Sequence, residues 1–292
     1  MTAEPTLTGR GAVVVGGASG VGLAVAELLA EHGAGVVINS RNEEAVNRAA
    51  EAITAKGGNA VGIAGSAADE EVAGRLISTC TTAYGDIDIL VNCAGIAEPP
   101  RSSILDVSAD DWRALLDSHL TTVFATCRAA APLMAARGVG SIINTGSVAY
   151  LGDYGGTGYP AGKGAVTSLT LAIAAELKLS GVRVNAVCPG ARTRLSTGPD
   201  YEAHIRDLHA RGLLDEMTMR ASLDAPPAGH AAALYLYLAS DAAREVTGRV
   251  FVAAGGFVGR FARPAMTLLG YRDHQQEPPW SVPELQSMMD RQ

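Results

Sequence analysis

The chain has 292 residues, enough for one α/β domain or two small ones, and 48% of them are hydrophobic. Ala and Gly dominate and aromatics make up only 5%, so a large core of small side chains is expected. The net charge of −7 argues against nucleic acid or an anionic membrane as the main partner.

The four cysteines, Cys80, Cys93, Cys127 and Cys188, form no C-x-x-C, and their spacing does not resemble a metal site. Buried structural thiols in a reducing compartment are expected. The polar, acidic start MTAEPTLTGR lacks the apolar core of a signal peptide. No apolar run is long enough to span a bilayer, and the ending DRQ is not a peroxisomal S-K-L address. These features together predict a soluble cytoplasmic protein.

Residues 11–38 read as strand, Gly-rich turn, helix and strand, a βαβ unit. Ala12–Val15 is an apolar run suited to a strand buried on both faces. Gly16, Gly20 and Gly22 then follow in VGGASGVG. Residues without Cβ let the backbone turn tightly, approach a pyrophosphate and pack helix on sheet. The helix N-terminus behind them supplies N–H donors and a positive dipole end. The spacing is G-x-x-x-G-x-G rather than the commoner G-x-G-x-x-G.

The second strand ends at Asn39-Ser40-Arg41-Asn42. A carboxylate here would bind the ribose 2′-OH of NAD, and an Arg would accommodate the 2′-phosphate of NADP. Arg41 is either a solvated loop residue or that phosphate ligand. With the Gly-rich turn upstream, Ser40 and Arg41 favour NADP(H) over NAD(H). Helix 43–56, strand 60–64, helix 69–84 and strand 87–91 follow. The fourth strand ends in Asn92-Cys93-Ala94-Gly95, either an ordinary turn or small residues beside a cofactor with one amide to fix neighbouring backbone.

Residues 110–137 show a helical period of apolar positions, with His119 in the middle of the stripe. By default such a residue is a satisfied core histidine. Strand 141–145 delivers Ser147. Helix 159–179 carries Tyr159 and Lys163, four apart and so one turn apart on one face. A cation beside a phenol favours the phenolate, so Lys163 is expected to lower the Tyr159 pKa and make it a general acid or base. Ser147 can hold the substrate oxygen. Strand 182–187 ends at Pro189-Gly190. The polar segment 194–224 reads as a mobile substrate lid. Helix 228–239 and a last strand at 249–253 complete a domain spanning 1–256, and 257–292 forms a C-terminal extension. Alternating strands and helices predict a Rossmann-like, doubly wound parallel sheet, with ligands at the C-terminal strand ends.

VGGASGVG at 15–22, NCAG at 92–95, Ser147, YPAGK at 159–163 and PG at 189–190 resemble, in order and spacing, the classical short-chain dehydrogenases/reductases. The resemblance covers nearly the whole chain and implies hydride transfer to or from NAD(P), with Tyr159 as acid/base. Lys163 would bind the nicotinamide ribose, and Ser147 would orient the substrate oxygen. On the matching motifs the cofactor-binding set is Gly16, Ser19, Gly20, Val21, Gly22, Ser40, Arg41, Ser66, Asn92, Ala94, Gly95, Tyr159, Lys163, Pro189, Gly190 and Thr193. A narrower resemblance lies in DSHLTTVFATCRAA at 117–130, PGARTRLST at 189–197 and AAGGFVGRF with its long tail. These are similar to the (3R)-hydroxyacyl-CoA dehydrogenase and 17β-hydroxysteroid dehydrogenase type 4 group. That group implies a 3-oxoacyl or 3-hydroxyacyl thioester, or a bulky steroid- or polyketide-like ketone.

Some positions depart from the family. Val15 stands for the usual Thr and Ser66 for a common Asp near adenine. Pro160 stands where Ser is common, and His119 stands for a helix Asn that supports a water relay. Ser40-Arg41 departs from the acidic strand end of an NAD-using β-oxidation enzyme and favours reduction. The expected protein is an NADP(H)-dependent ketoreductase acting on a small-molecule carbonyl or alcohol, assembled as a homodimer or homotetramer. A non-redox isomerase or dehydratase and an idle nucleotide-binding module are the alternatives. The apolar residues of the tail are expected to pack on their own or a neighbouring subunit, near 194–224.

Overall fold

The computed structural model describes residues 6–99, 102–154 and 156–290. The first five and last two residues, read above for targeting signals, lie outside it, as does Gly155 within the Ser147–Lys163 stretch. Eight strands form one sheet: β1 (Gly11–Val15), β2 (Gly35–Ser40), β3 (Asn59–Ala64), β4 (Ile89–Asn92), β5 (Gly140–Thr145), β6 (Val182–Gly190), β7 (Val250–Ala254) and β8 (Phe257–Arg260). Their order is β3-β2-β1-β4-β5-β6-β7-β8, parallel from β3 to β7. The chain reverses direction across the sheet between β1 and β4, which opens a crevice at the C-terminal strand ends.

The helices are α1 (Gly20–Glu31), α2 (Glu43–Ala55), α3 (Glu70–Tyr84), α4 (Ala109–Leu116), α5 (Thr122–Arg137), α6 (Gly158–Glu176), α7 (Pro199–Ala210), α8 (Glu216–Leu223), α9 (Ala228–Ala239) and α10 (Val282–Met289). Side chains alternate across each strand, so β1 feeds two cores. Ala12 and Val14 pack with α1, α2 and α9, while Val13 and Val15 pack with α3, α5 and α6. Burying each large aliphatic side chain contributes roughly 1.5–3 kcal/mol. Asn42, Asp69, Ser108 and Asp215 cap α2, α3, α4 and α8 through their side chains.

Three expectations are corrected. The single helix over 110–137 is two helices joined by a π turn, Asp117–Thr121, in which the Thr122 N–H reaches back to the Asp117 carbonyl. The wider turn leaves His119 only 1% exposed. The strand expected at 249–253 is not the last of the sheet. Gly255, at φ +56°, turns the chain back, and β8 pairs antiparallel with β7. The extension read from Phe257 therefore starts with a strand of the sheet, and the compact unit runs to Phe261. The segment 194–224 folds as α7 and α8 around Ile205, Leu208 and Leu214, with Tyr154 and Tyr201 packed against them.

Residues 262–292 form a second unit. Within it the Arg272 guanidinium lies 3.8 Å from the Trp280 ring centroid and pairs with Glu284 at 2.7 Å and Glu277 at 3.2 Å. Ser281 and Glu284 form a capping box at the start of α10. Among the described residues no helix is long and apolar enough to cross a membrane.

Gly16 joins backbone strain to crowding. Its φ is +75°, and a Cβ there would lie 2.6 Å from the Ala94 backbone nitrogen. Gly57, at φ +89°, has open space around its Cβ position. Gly57→Ala should therefore cost only the left-handed penalty of about 1–2 kcal/mol. Gly16→Ala should cost roughly 1–3 kcal/mol more through overpacking. Urea unfolding of both variants checks this, and equal losses would show that the Gly16–Ala94 approach is not a tight constraint.

Candidate active site

Tyr159 and Lys163 stand one turn apart at the start of α6. Lys163 is 4% exposed, and its Nζ donates to the Thr145 carbonyl at the end of β5, 2.9 Å away. That bond uses one of its three protons. Burial lowers the ammonium pKa to about 8, which still leaves it mostly charged at neutral pH. Nζ lies 5.8 Å from the Tyr159 ring centroid. Ser147, just beyond β5, lies beside the Tyr159 hydroxyl and favours its phenolate. Tyr150 and Tyr154 lie outside this group: the Tyr150 ring meets Phe261 at 5.4 Å, and the Tyr154 hydroxyl meets Ser222 at 3.3 Å.

The lowered Tyr159 pKa expected from the sequence is not what the structure shows. Desolvation raises it, and this outweighs the neighbouring Ser147 hydroxyl, which favours the phenolate. The Lys163 ammonium is directed to the Thr145 carbonyl and does not offset that burial. At neutral pH Tyr159 is therefore a phenol that can donate a proton.

His119 meets the Tyr159 ring edge-on at 5.0 Å. Its Nε2–H donates to the Ile96 carbonyl at 3.1 Å, and its buried Nδ1 has no partner among the described residues. Burial and the Lys163 charge push its pKa down to about 3, so the ring is neutral and Nδ1 is a bare acceptor. A Cβ on Gly95 would lie 2.9 Å from Nδ1 and 3.7 Å from Lys163 Nζ, so glycine there keeps that space open. His119 is thus half satisfied, which fits neither a fully bonded core residue nor an exposed one.

The glycine turn converges on the same edge. A Cβ on Gly22 would lie 2.3 Å from the Gly16 carbonyl, and one on Gly20 would lie 3.2 Å from Thr193 Cγ2. Ser19, the N-cap of α1, makes no side-chain bond to its helix, and the first turn holds no acid. Its hydroxyl instead accepts from Arg194 at 3.0 Å. Val21 is buried in the core behind the turn. Ser40 ends β2, and Arg41 beyond it is exposed with no ion pair among the described residues. Ser66 is exposed after β3, and Pro189-Gly190 end β6. Asn92 does not fix backbone as expected. Its amide donates to Asn144 Oδ1 at 2.9 Å and accepts from Thr126 at 2.8 Å.

Several participants escaped the sequence reading. Asn144 Nδ2 donates to Thr170 at 2.9 Å, so Thr126, Asn92, Asn144 and Thr170 tie α5, β4, β5 and α6 together. The Thr145 hydroxyl lies 2.9 Å from the Tyr235 hydroxyl and donates to Cys93 at 3.2 Å. Glu98 reaches the first turn of α6 with both carboxylate oxygens. Asn144, Thr145, Thr170, Tyr235 and Glu98 lie in no motif quoted above.

The cradle opened by Gly16, Gly20 and Gly22, the acid-free start of α1 and the buried ammonium fit a dinucleotide with its anionic centre at the glycine turn. A family model described as enoyl-(acyl carrier protein) reductase matches residues 16–258. Dehydrogenase/reductase SDR family member 4 of Oryctolagus cuniculus is 32% identical, over 89% of this chain and 98% of its own. A 3-oxoacyl-[acyl-carrier-protein] reductase of Synechocystis is 34% identical, over 86% of this chain and 98% of its own. A solved short-chain dehydrogenase from Mycobacterium avium superposes with a TM-score of 0.80 at 31% identity, covering 98% of this chain and 95% of that one. With this fold and these relatives, the chain belongs to the short-chain dehydrogenase/reductase family and is an NAD(P)-dependent oxidoreductase.

Proposed function

We propose that the protein reduces a ketone to a secondary alcohol with NADPH, with Tyr159 as proton donor. The observation that carries this reading is the placement of Tyr159 one turn from the buried Lys163 ammonium at the start of α6, beside the strand end that delivers Ser147. When bound, the nicotinamide supplies hydride to the carbonyl carbon, or accepts it in the reverse direction. The Ser147 hydroxyl holds the carbonyl oxygen. Tyr159 gives that oxygen its proton as negative charge develops on it. The Lys163 ammonium would bind the nicotinamide ribose, and the His119 Nδ1 lone pair offers an acceptor for proton exchange on the Lys163 side.

In this reading Gly16, Ser19, Gly20, Val21 and Gly22 hold the pyrophosphate. Ser40 and Arg41 hold the 2′-phosphate, and Ser66 lies toward the adenine. Asn92, Ala94 and Gly95 line the ribose side with Lys163, while Pro189, Gly190 and Thr193 hold the nicotinamide end. Helices α7 and α8 form the lid over the substrate, a 3-oxoacyl thioester or a bulky cyclic ketone. The relative named as a 3-oxoacyl-[acyl-carrier-protein] reductase supports the first class.

Cofactor choice is tested by titrating the protein with NADPH and NADH. NADPH should bind more tightly, and Arg41→Ala should weaken NADPH alone by roughly 10–100-fold, the worth of a charged hydrogen bond. Equal affinities, or a preference for NADH, would remove Arg41 from the site.

The chemistry is tested by following NADPH oxidation with acetoacetyl-CoA, cyclohexanone and a 3-ketosteroid. At least one should turn over. Tyr159→Phe should lower kcat by about 10²–10⁴-fold while NADPH still binds. Near-normal turnover in Tyr159→Phe would refute the proton-donor role.

A further inference from the structure

Helix α6 starts without a cap of its own. Its N-cap residue Thr157 makes no side-chain bond to the first turn. Pro160 has no N–H, and the Ala161 N–H bonds the Thr157 carbonyl at 3.3 Å. The N–H groups of Gly158 and Tyr159 would otherwise lack acceptors. Glu98 supplies both: Oε1 accepts from Gly158 at 3.2 Å and Oε2 from Tyr159 at 2.7 Å. A carboxylate at a helix N-terminus is also favoured by the helix dipole. Gly156, at φ +76°, leaves the room, because a Cβ there would lie 2.8 Å from the Glu98 carboxyl. Glu98 sits on the loop after β4, which also provides Gly95 beneath His119 and the Ile96 carbonyl that holds the His119 ring. A single loop therefore grips both the π turn and the start of α6.

We propose that Glu98 is a positioning residue that holds Tyr159, through its backbone N–H, in register with Ser147 and Lys163. This inference rests on Tyr159 being the proton donor. Glu98 acts on the phenol in a second way, since its negative charge raises the proton affinity of Tyr159. The other groups facing that phenol are Lys163 on α6, His119 on the π turn, Ser147 after β5, Cys188 on β6 and Tyr201 on α7. Among them Glu98 is the carboxylate, so its removal should shift the titration of Tyr159 to lower pH.

The test uses the full chain labelled with [¹³Cζ]tyrosine and followed by NMR across pH. The Tyr159 signal is identified by its loss in Tyr159→Phe. In Glu98→Gln and Glu98→Ala its titration midpoint should fall. With NADPH and acetoacetyl-CoA, Glu98→Ala should lower kcat about tenfold or more, with KM and the NADPH Kd within about twofold, as misplacement of a reacting group does. Glu98→Gln keeps one acceptor oxygen and should recover part of that loss. An unshifted midpoint in both variants would overturn the proposal, whatever happens to stability. So would a wild-type kcat in Glu98→Ala. If the wild type does not turn over acetoacetyl-CoA, that substrate assignment fails, and the midpoint alone still decides whether Glu98 governs Tyr159.

Discussion

The Lys163 ammonium is held at 4% exposure by a single hydrogen bond to the Thr145 carbonyl, and the site is arranged around it. Burying an ion costs several kcal/mol, which is why the Lys163 pKa falls to about 8. A fold keeps such a residue only if its surroundings fix it. Here the helix start that carries Tyr159 and the strand end that carries Ser147 meet at this bond. The same charge helps keep His119 neutral, and so leaves Nδ1 as a bare acceptor. The phenol stays protonated because it is buried, while the ammonium stays charged despite its burial. Such a pair of states suits proton donation to an oxygen in the direction of reduction.

A polar network behind the site holds the elements in place. Thr126, Asn92, Asn144 and Thr170 form a chain of buried hydrogen bonds that crosses from α5 through β4 and β5 to α6. A fully satisfied network of this kind rigidifies a core, whereas one missing partner leaves a costly unpaired group. Tyr235 and Thr145 extend the polar contacts toward α9. Glu98 performs the same service from the loop side. The side chains of the candidate site are thus anchored by contacts from α5, β4, β5, α6, α9 and the loop after β4.

The strands and the Tyr159–Lys163 pair were legible because each is written in local spacing. Apolar runs mark buried parallel strands, and four-residue spacing marks one helix face. The glycines of 16–22 were legible because residues without Cβ allow the close approaches made there, of Gly16 to Ala94 and of Gly22 to the Gly16 carbonyl. The π turn was not legible, since its apolar period differs from an α-helix by a single inserted residue. β8 was missed because Phe257–Arg260 follows two glycines and reads as the start of a tail; only its pairing with β7 defines it. Glu98 and Asn144 were missed because their partners lie far along the chain. The direction of the Tyr159 shift was missed because sequence shows a neighbouring charge but not the burial that outweighs it.

In the proposed reaction Ser147, Tyr159 and the buried Lys163 move a proton while hydride passes to a carbonyl carbon. The most direct measurement is mass spectrometry of the product made from acetoacetyl-CoA with NADPH deuterated at C4. The account predicts a 3-hydroxyacyl product with one deuteron on the carbinol carbon, delivered from one face of the nicotinamide only, and formed about 10²–10⁴-fold more slowly by Tyr159→Phe. An altered product formed without deuterium and without NADPH consumption would contradict it and place the chemistry outside redox.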